Sequence, residues 1–284
     1  MARGACRGVK AECGVDSTRL TRMLVVVAIA GVVMAVLVRW PAPPSPAPPE
    51  SLRVKVIRSF FHDPGAFTQG LVFHAGRLYE STGLAGQSSL RRVDLATGAV
   101  EAQVPLDPPL FGEGLAVAEG RLVQLTWREG RALLWSVDRL APEGEFQYAG
   151  EGWGLCFDGR QLVMSDGSDR LVWRDVRTFQ PVGAISVRSS SGPVYRLNEL
   201  ECVGDTIYAN VWQTSRIARI DARTGDVTAW IEAAGLLTGA EARRANDLNG
   251  IAHLPSSGHF VLTGKLWPRA FEVEFVARKG ATVR

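Results

Sequence analysis

Cysteine and histidine are scarce, with four of each in 284 residues. Cys6 and Cys13 lie near the N-terminus, and Cys156 and Cys202 lie far apart in the body. No CxxC pair or Cys/His cluster exists, so nothing supports a structural zinc site. An excess of one charge is also missing from the body. Residues 1–50 hold six basic and three acidic side chains, which accounts for the whole net charge of +3 and leaves 26 of each sign beyond them. A balanced body offers no electrostatic footprint for nucleic acid and excludes that class of partner. Long amphipathic helical patterns are absent too, while 30 glycines and 15 prolines punctuate short apolar runs. That combination predicts an all-β chain rich in tight turns.

One long apolar run is present, "MLVVVAIAGVVMAVLV" at residues 23–38, bounded by Arg22 and Arg39. Its length lies between a signal-peptide core and a comfortable membrane span. No small-x-small cleavage pattern follows it. Residues 1–22 therefore read as a basic tail and 23–39 as an uncleaved signal-anchor helix in the membrane, with a cleaved signal peptide as the alternative. The basic residues before the run place the N-terminus in the cytoplasm and the body outside it, in the periplasm or an equivalent extracytoplasmic space. "PAPPSPAPPE" then reads as a semi-rigid spacer within a Pro-rich linker over 40–52, and 53–284 as one domain. In such a compartment a Cys156–Cys202 disulfide is permitted, though two cysteines in short strands more often serve as small buried residues.

The body repeats. "QGLVF" at Gln69, "EGLAV" at Glu113, "WGLCF" at Trp153, "ELECV" at Glu199 and "NGIAH" at Asn249 align at spacings of 44, 40, 46 and 50 residues. Each is followed by a turn and a second strand, from "RLYEST" to "HFVLTGK", and then by a third strand ending in an acid. Four short antiparallel strands per 40–50 residues is the period of a propeller blade, so five copies predict a five-bladed β-propeller. The fifth copy stops near its third strand. Residues 53–63, "RVKVIRSFFHD", stand ready to supply the missing outer strand and close the ring. Closed ring and balanced charge fit a monomer.

In such a ring the first strand of each blade lines the axis, and equivalent positions face one another. The residue before the repeat's second position reads Gln69, Glu113, Trp153, Glu199 and Asn249. The end of the second strand returns to the same level and reads Gly83, Trp127, Gly167, Trp212 and Lys265. One face therefore gathers Phe67, Phe111, Trp127, Trp153 and Trp212 around Gln69, Glu113, Asn198, Glu199 and Lys265. Apolar walls with a few convergent polar groups describe a pocket for a small ligand.

"FTQGLVF", "YESTGLAGQSSLRRVDLATG", "FGEGLAV", "GEGWGLCFDG", "LNELECV", "IYANVW", "NDLNGIA" and "TGKLWPRAFEVEF" together resemble the plant- and bacterial-type glutaminyl-peptide cyclotransferases, over about residues 53–276. The resemblance implies a five-bladed propeller that cyclises the N-terminal glutamine of peptides or proteins to pyroglutamate and releases ammonia. It implies Glu113, Asn198 and Lys265 as catalytic residues, and Gln69 with Phe67, Phe111, Trp127, Trp153 and Trp212 as the substrate pocket. The implied reaction is intramolecular and needs no cofactor or metal, although a structural cation such as calcium fits a propeller channel. It also makes the lack of a Ser-His-Asp or Cys-His arrangement unremarkable. Two other readings remain open at this level: a non-catalytic propeller that binds peptide N-termini, and a metal-dependent, lactonase-like propeller hydrolase using Glu113, Glu199 and Asn249.

Overall fold

A computed structural model describes Met1 and residues 46–278. The predicted basic tail (1–22) beyond Met1, the signal-anchor helix (23–39), and residues 40–45 of the Pro-rich linker lie outside the described residues. Among the described residues, no helix is long and apolar enough to cross a membrane. The described chain is all-β apart from one short helix, α1 (Gly239–Ala242).

Three four-stranded sheets follow the repeat. The first is β2 (Thr68–His74), β3 (Arg77–Thr82), β4 (Ser89–Asp94) and β5 (Val100–Pro105). The second is β6 (Gly112–Ala118), β7 (Arg121–Thr126), β8 (Arg131–Ser136) and β9 (Pro142–Gln147). The third is β10 (Leu155–Phe157), β11 (Leu162–Ser165), β12 (Arg170–Arg174) and β13 (Pro181–Ser186). A small hairpin of β14 (Arg188–Ser189) and β15 (Gly192–Pro193) follows, which the repeat does not foretell. The last two copies share one eight-stranded sheet. One half is β16 (Leu197–Val203), β17 (Thr206–Val211), β18 (Arg216–Asp221) and β19 (Val227–Glu232). The other is β20 (Leu248–Leu254), β21 (His259–Gly264), β22 (Arg269–Ala277) and β1 (Glu50–Phe61).

β1 pairs antiparallel with β22, as anticipated for residues 53–63. It begins earlier than Arg53, however, and Glu50 to Arg53 also pair in parallel with β19 from Ala229 to Glu232. The end of the predicted linker is therefore strand, because the free edge of β19 offers it hydrogen-bond partners.

Burial falls from the first strand of each group to the last. β6 is almost wholly buried, whereas β9 is exposed at nearly every position. The first strands touch in sequence, β2 with β6, β6 with β10, β10 with β16, β16 with β20, and β20 returns to β2. That closed ring of inner strands leaves no room for side chains where the strands meet. A Cβ on Gly154 would lie 1.9 Å from the Asn198 carbonyl oxygen, so only glycine permits this approach. The apolar core is divided accordingly. One cluster, around Leu115, Leu122 and Trp135, fills the gap between the first and second sheets, and another, around Phe60, Leu71 and Val261, seals the last group against the first.

Cys156 on β10 and Cys202 on β16 form a disulfide with their Cα atoms 5.5 Å apart. They are more than small buried residues. The bond ties two neighbouring inner strands and closes a separation of 46 residues; a loop of that size corresponds to roughly 4 kcal/mol in the chain-entropy picture.

Candidate active site

The inner hairpins do not run in perfect register. Pairing shifts between Thr68 and Gly70, between Gly112 and Leu115, between Leu197 and Leu200, and between Leu248 and Ile251. Each irregularity falls on the ring position that the repeat singles out. A bulge bends its strand and re-aims the side chains beside it. It is how Gln69, Glu113 and Asn198 come to point out of apolar strands into one cavity.

That cavity has a volume of about 430 Å³ and is lined by nine of the ten residues that the sequence gathers on one face, all but Glu199. Phe67 meets Phe111 edge to face at 6.2 Å, Phe111 meets Trp127 at 5.5 Å, and Trp153 meets Trp212 at 5.4 Å and 90°. Small residues at the ends of second strands make space for this wall. A Cβ on Gly167 would lie 2.7 Å from the Trp153 ring, and its φ of +81° also suits glycine.

Glu113 is 5 % exposed and accepts one hydrogen bond, 2.8 Å from Gln69 Nε2 to its Oε1. Gln69 is oriented in turn by Asn249, whose Nδ2 donates to Gln69 Oε1 at 3.1 Å. Burial pushes the Glu113 carboxyl well above the usual carboxylate range; Lys265 opposes this, and the charges of Glu151 and Glu129 reinforce it. Lys265 is 5 % exposed. Burial lowers its pKa, while Glu113 and Asp247 pull the other way. Its Nζ lies 5.0 Å from the Phe67 ring centroid and, among the described residues, has no hydrogen-bonded or ion-paired partner. Asn198 is 3 % exposed, and its Oδ1 is buried without a partner. A carboxyl poised to take a proton, an unengaged ammonium and an unengaged amide therefore face one aromatic-walled space.

The backbone that carries Lys265 is held firmly. Lys265 N donates to the Asp247 carbonyl at 2.9 Å and Asn246 N donates back to the Lys265 carbonyl at 2.8 Å. Leu266 then takes a left-handed φ of +59° and donates to the Ala66 carbonyl at 2.7 Å, next to Phe67.

Glu199 belongs to the ring but not to the cavity. Its Oε1 accepts from Leu71 N at 3.2 Å and its Oε2 from Ile251 N at 2.8 Å, across the axis. Both oxygens accept from backbone amides, and Asn249 Nδ2 donates to Gln69 Oε1 and to the Thr68 carbonyl while its Oδ1 is buried without a partner. Of Glu113, Glu199 and Asn249, only Glu113 lines the aromatic cavity. Among the described residues, no group of three or more His, Cys, Asp or Glu side chains is placed to hold a metal ion.

Four further residues matter that the repeat did not single out. Gln213, next after Trp212, and Asn246 and Asp247, just before β20, also line the cavity. Glu151 stands behind it. Its Oε2 accepts from Trp127 Nε1 at 2.8 Å and from Trp153 Nε1 at 3.0 Å, and its Oε1 accepts from Arg128 Nε at 3.0 Å. The Arg128 guanidinium covers Trp127 at 3.7 Å from the ring centroid. One carboxylate thereby fixes two of the five aromatic walls; the "GEGWG" stretch, an acid two positions before a ring residue, was the available signal. Glu151→Ala is expected to raise KM about tenfold, with a smaller fall in kcat, for one lost pair of charge-assisted hydrogen bonds. Tryptophan emission should shift with it, and Glu151→Gln, which still accepts, should recover most of the loss. Unchanged emission and KM in the alanine variant would remove this role.

The profile of a protein family described as glutamine cyclotransferase matches residues 25–275 of this chain. A curated glutaminyl-peptide cyclotransferase of Arabidopsis thaliana is 39 % identical over 227 residues, covering 78 % of this chain and 71 % of that protein. The crystal structure of a glutaminyl cyclase from Myxococcus xanthus aligns with a TM-score of 0.74 at 42 % identity, over 81 % of this chain and all of that one.

Proposed function

The chain belongs to the glutamine cyclotransferase family, and from that membership we infer that it is a glutaminyl-peptide cyclotransferase, acting on peptides that begin with glutamine. The observation that carries the reading to these atoms is the aromatic cavity in which buried Glu113 faces buried, unpaired Lys265. The α-amine of the substrate attacks its own γ-carboxamide carbon, a C–N bond forms, the other C–N bond breaks, and ammonia leaves. Glu113 accepts a proton from the α-ammonium and delivers it to the departing nitrogen, and the second proton shed by the attacking nitrogen leaves with the ammonia as ammonium. Lys265 Nζ and the Asn198 amide donate to the carboxamide oxygen as negative charge develops on it. Gln69 holds Glu113 in place. The tryptophans and phenylalanines fold the glutamine side chain towards its own amine and exclude water; such positioning supplies several kcal/mol of the barrier. The reaction balances without a cofactor.

In this reading the five four-strand groups are the blades of a propeller and β1 is its closing strand. Support comes from the fivefold repeat, the closed ring of inner strands and the pairing of β1 with β22. An extracytoplasmic location also belongs to the proposal, with the body, 53–284, carried by residues 1–52 through the membrane segment at 23–39. The Cys156–Cys202 disulfide supports an oxidising compartment.

The charge states give a pH dependence with a definite sign. Glu113 must be deprotonated to act as base, and its pKa is raised, so kcat is lost as pH falls through a value above the ordinary carboxylate range. Lys265 must be protonated, and its pKa is lowered, so the alkaline limb lies below that of an ordinary lysine. A bell-shaped kcat profile drawn inward from both ordinary values is expected. An acid limb at the usual carboxylate pKa of about 4 would contradict the role given to Glu113.

A further inference from the structure

A second cavity, of about 280 Å³, abuts the aromatic one, and Gln213, Asn246 and Asp247 line both. Its walls are the turn after β17 and the long connection from β19 to β20, with Trp267 buried against it. The connection is not a loose flap. Trp267 Nε1 donates to the Asn246 carbonyl at 2.9 Å, and the two-way backbone exchange with Lys265 clasps Asn246 and Asp247 to the strand end that carries the catalytic ammonium. Opposite them, Gln213 is fixed by Arg196, whose Nη1 donates to Gln213 Oε1 at 2.9 Å.

Cyclisation confines only the glutamine side chain and α-amine to the aromatic cavity. The rest of the peptide extends beyond it, and the second cavity is adjoining space that shares three lining residues. Asp247 is the single charged side chain lining the second cavity, and among the described residues its carboxylate has no hydrogen-bonded or ion-paired partner. The other walls are small, apolar or uncharged: Ala233, Leu236, Ala245, Thr214 and Ser215. Lys265 is the backbone neighbour of Asp247, close enough for the Asp247 charge to act on the ammonium without an ion pair forming, and Arg196 is engaged by Gln213.

The geometry points to the second cavity as the subsite for the residue that follows the N-terminal glutamine, with Asp247 selecting a basic side chain there and rejecting an acidic one. This rests on the cyclotransferase reading above. A cation on a flexible side chain meets an unpaired carboxylate at a partly covered position, where attraction outweighs the screening that cancels fully exposed pairs. An acid at the same place meets repulsion and leaves its own charge unpaired.

The test uses the full chain and three tripeptides, Gln-Lys-Ala, Gln-Ala-Ala and Gln-Glu-Ala. kcat/KM is expected to fall in that order, with the lysine peptide favoured over the glutamate peptide by about tenfold. Asp247→Asn should bring that ratio near one, and Asp247→Lys should invert it. A ratio within one variant cancels any general loss of turnover caused by the substitution. Quenching of tryptophan emission by the pyroglutamyl-Lys-Ala and pyroglutamyl-Glu-Ala products gives the same preference without any reaction. A wild-type ratio near one, or a ratio that both substitutions leave unchanged, overturns the subsite. Selective binding of the lysine product with no turnover of any tripeptide would retain the subsite and overturn the cyclotransferase reading instead.

Discussion

Glu113→Gln is expected to lower kcat for cyclisation of a Gln-initiated peptide by about 10³-fold or more, because in the proposed mechanism it removes the group that moves the proton from amine to leaving group. The substitution keeps the shape of the side chain and its place beside Gln69, so the fold should survive. Stability should in fact rise with pH relative to the parent protein. The folded-state pKa of Glu113 is raised by burial, so the stability associated with its neutral form is complete at low pH and is lost as pH climbs through that raised value. Glutamine does not titrate and escapes that loss. Thermal unfolding of both proteins from mildly acidic to alkaline pH checks this: the curves should diverge in favour of the variant as pH increases. A folded variant with near-parental turnover would take Glu113 out of the mechanism.

Lys265→Ala is expected to reduce kcat by about 10²–10³-fold, the usual consequence of losing one preorganised donor to an oxyanion. KM should change much less, since the ammonium acts on charge that appears only in the transition state. The resting geometry favours this division. Lys265 Nζ sits over the Phe67 ring without a described hydrogen-bond partner, so its donors are available when the oxyanion forms. The substitution also has a stability signature. Burial depresses the pKa of Lys265, so a buried ammonium is being held at a cost; the alanine variant should unfold at a temperature no lower than the parent. A large rise in KM with kcat preserved would make Lys265 a binding residue alone.

The order of strands and the members of the cavity were legible in the sequence for one physical reason. A ring built from equivalent units forces equivalent positions to face each other, so alignment of five short strands also aligns the site. Gln69 and Glu113 needed nothing more. Asn198 and Glu199 show where that logic ends. The aligned position was Glu199, yet the register slip between Leu197 and Leu200 turns Asn198 into the cavity and sends Glu199 across the axis to the amides of Leu71 and Ile251. Bulges of this kind depend on tertiary contacts and leave no periodic signal. Gln213, Asn246 and Asp247 flank the aligned strands at places where the other copies carry different residue types, such as Phe67 and Phe111 at the place of Asp247, so the alignment held no polar signal there. Glu151 was on view in "GEGWG", but its value lies in two indole hydrogen bonds that only the folded neighbours create. Cys156 and Cys202 occupy equivalent positions on adjacent inner strands, each three residues after its ring residue, and their proximity follows from the packing of those strands.

The most direct test of the central claim follows two products at once. The purified full chain is incubated with a Gln-initiated peptide while released ammonia and remaining free α-amine are both measured. Cyclisation within one residue predicts one ammonia for every α-amine lost, with a peptide blocked at its N-terminus. Ammonia released while the α-amine stays free would mean simple deamidation, and would contradict an attack by the substrate's own amine.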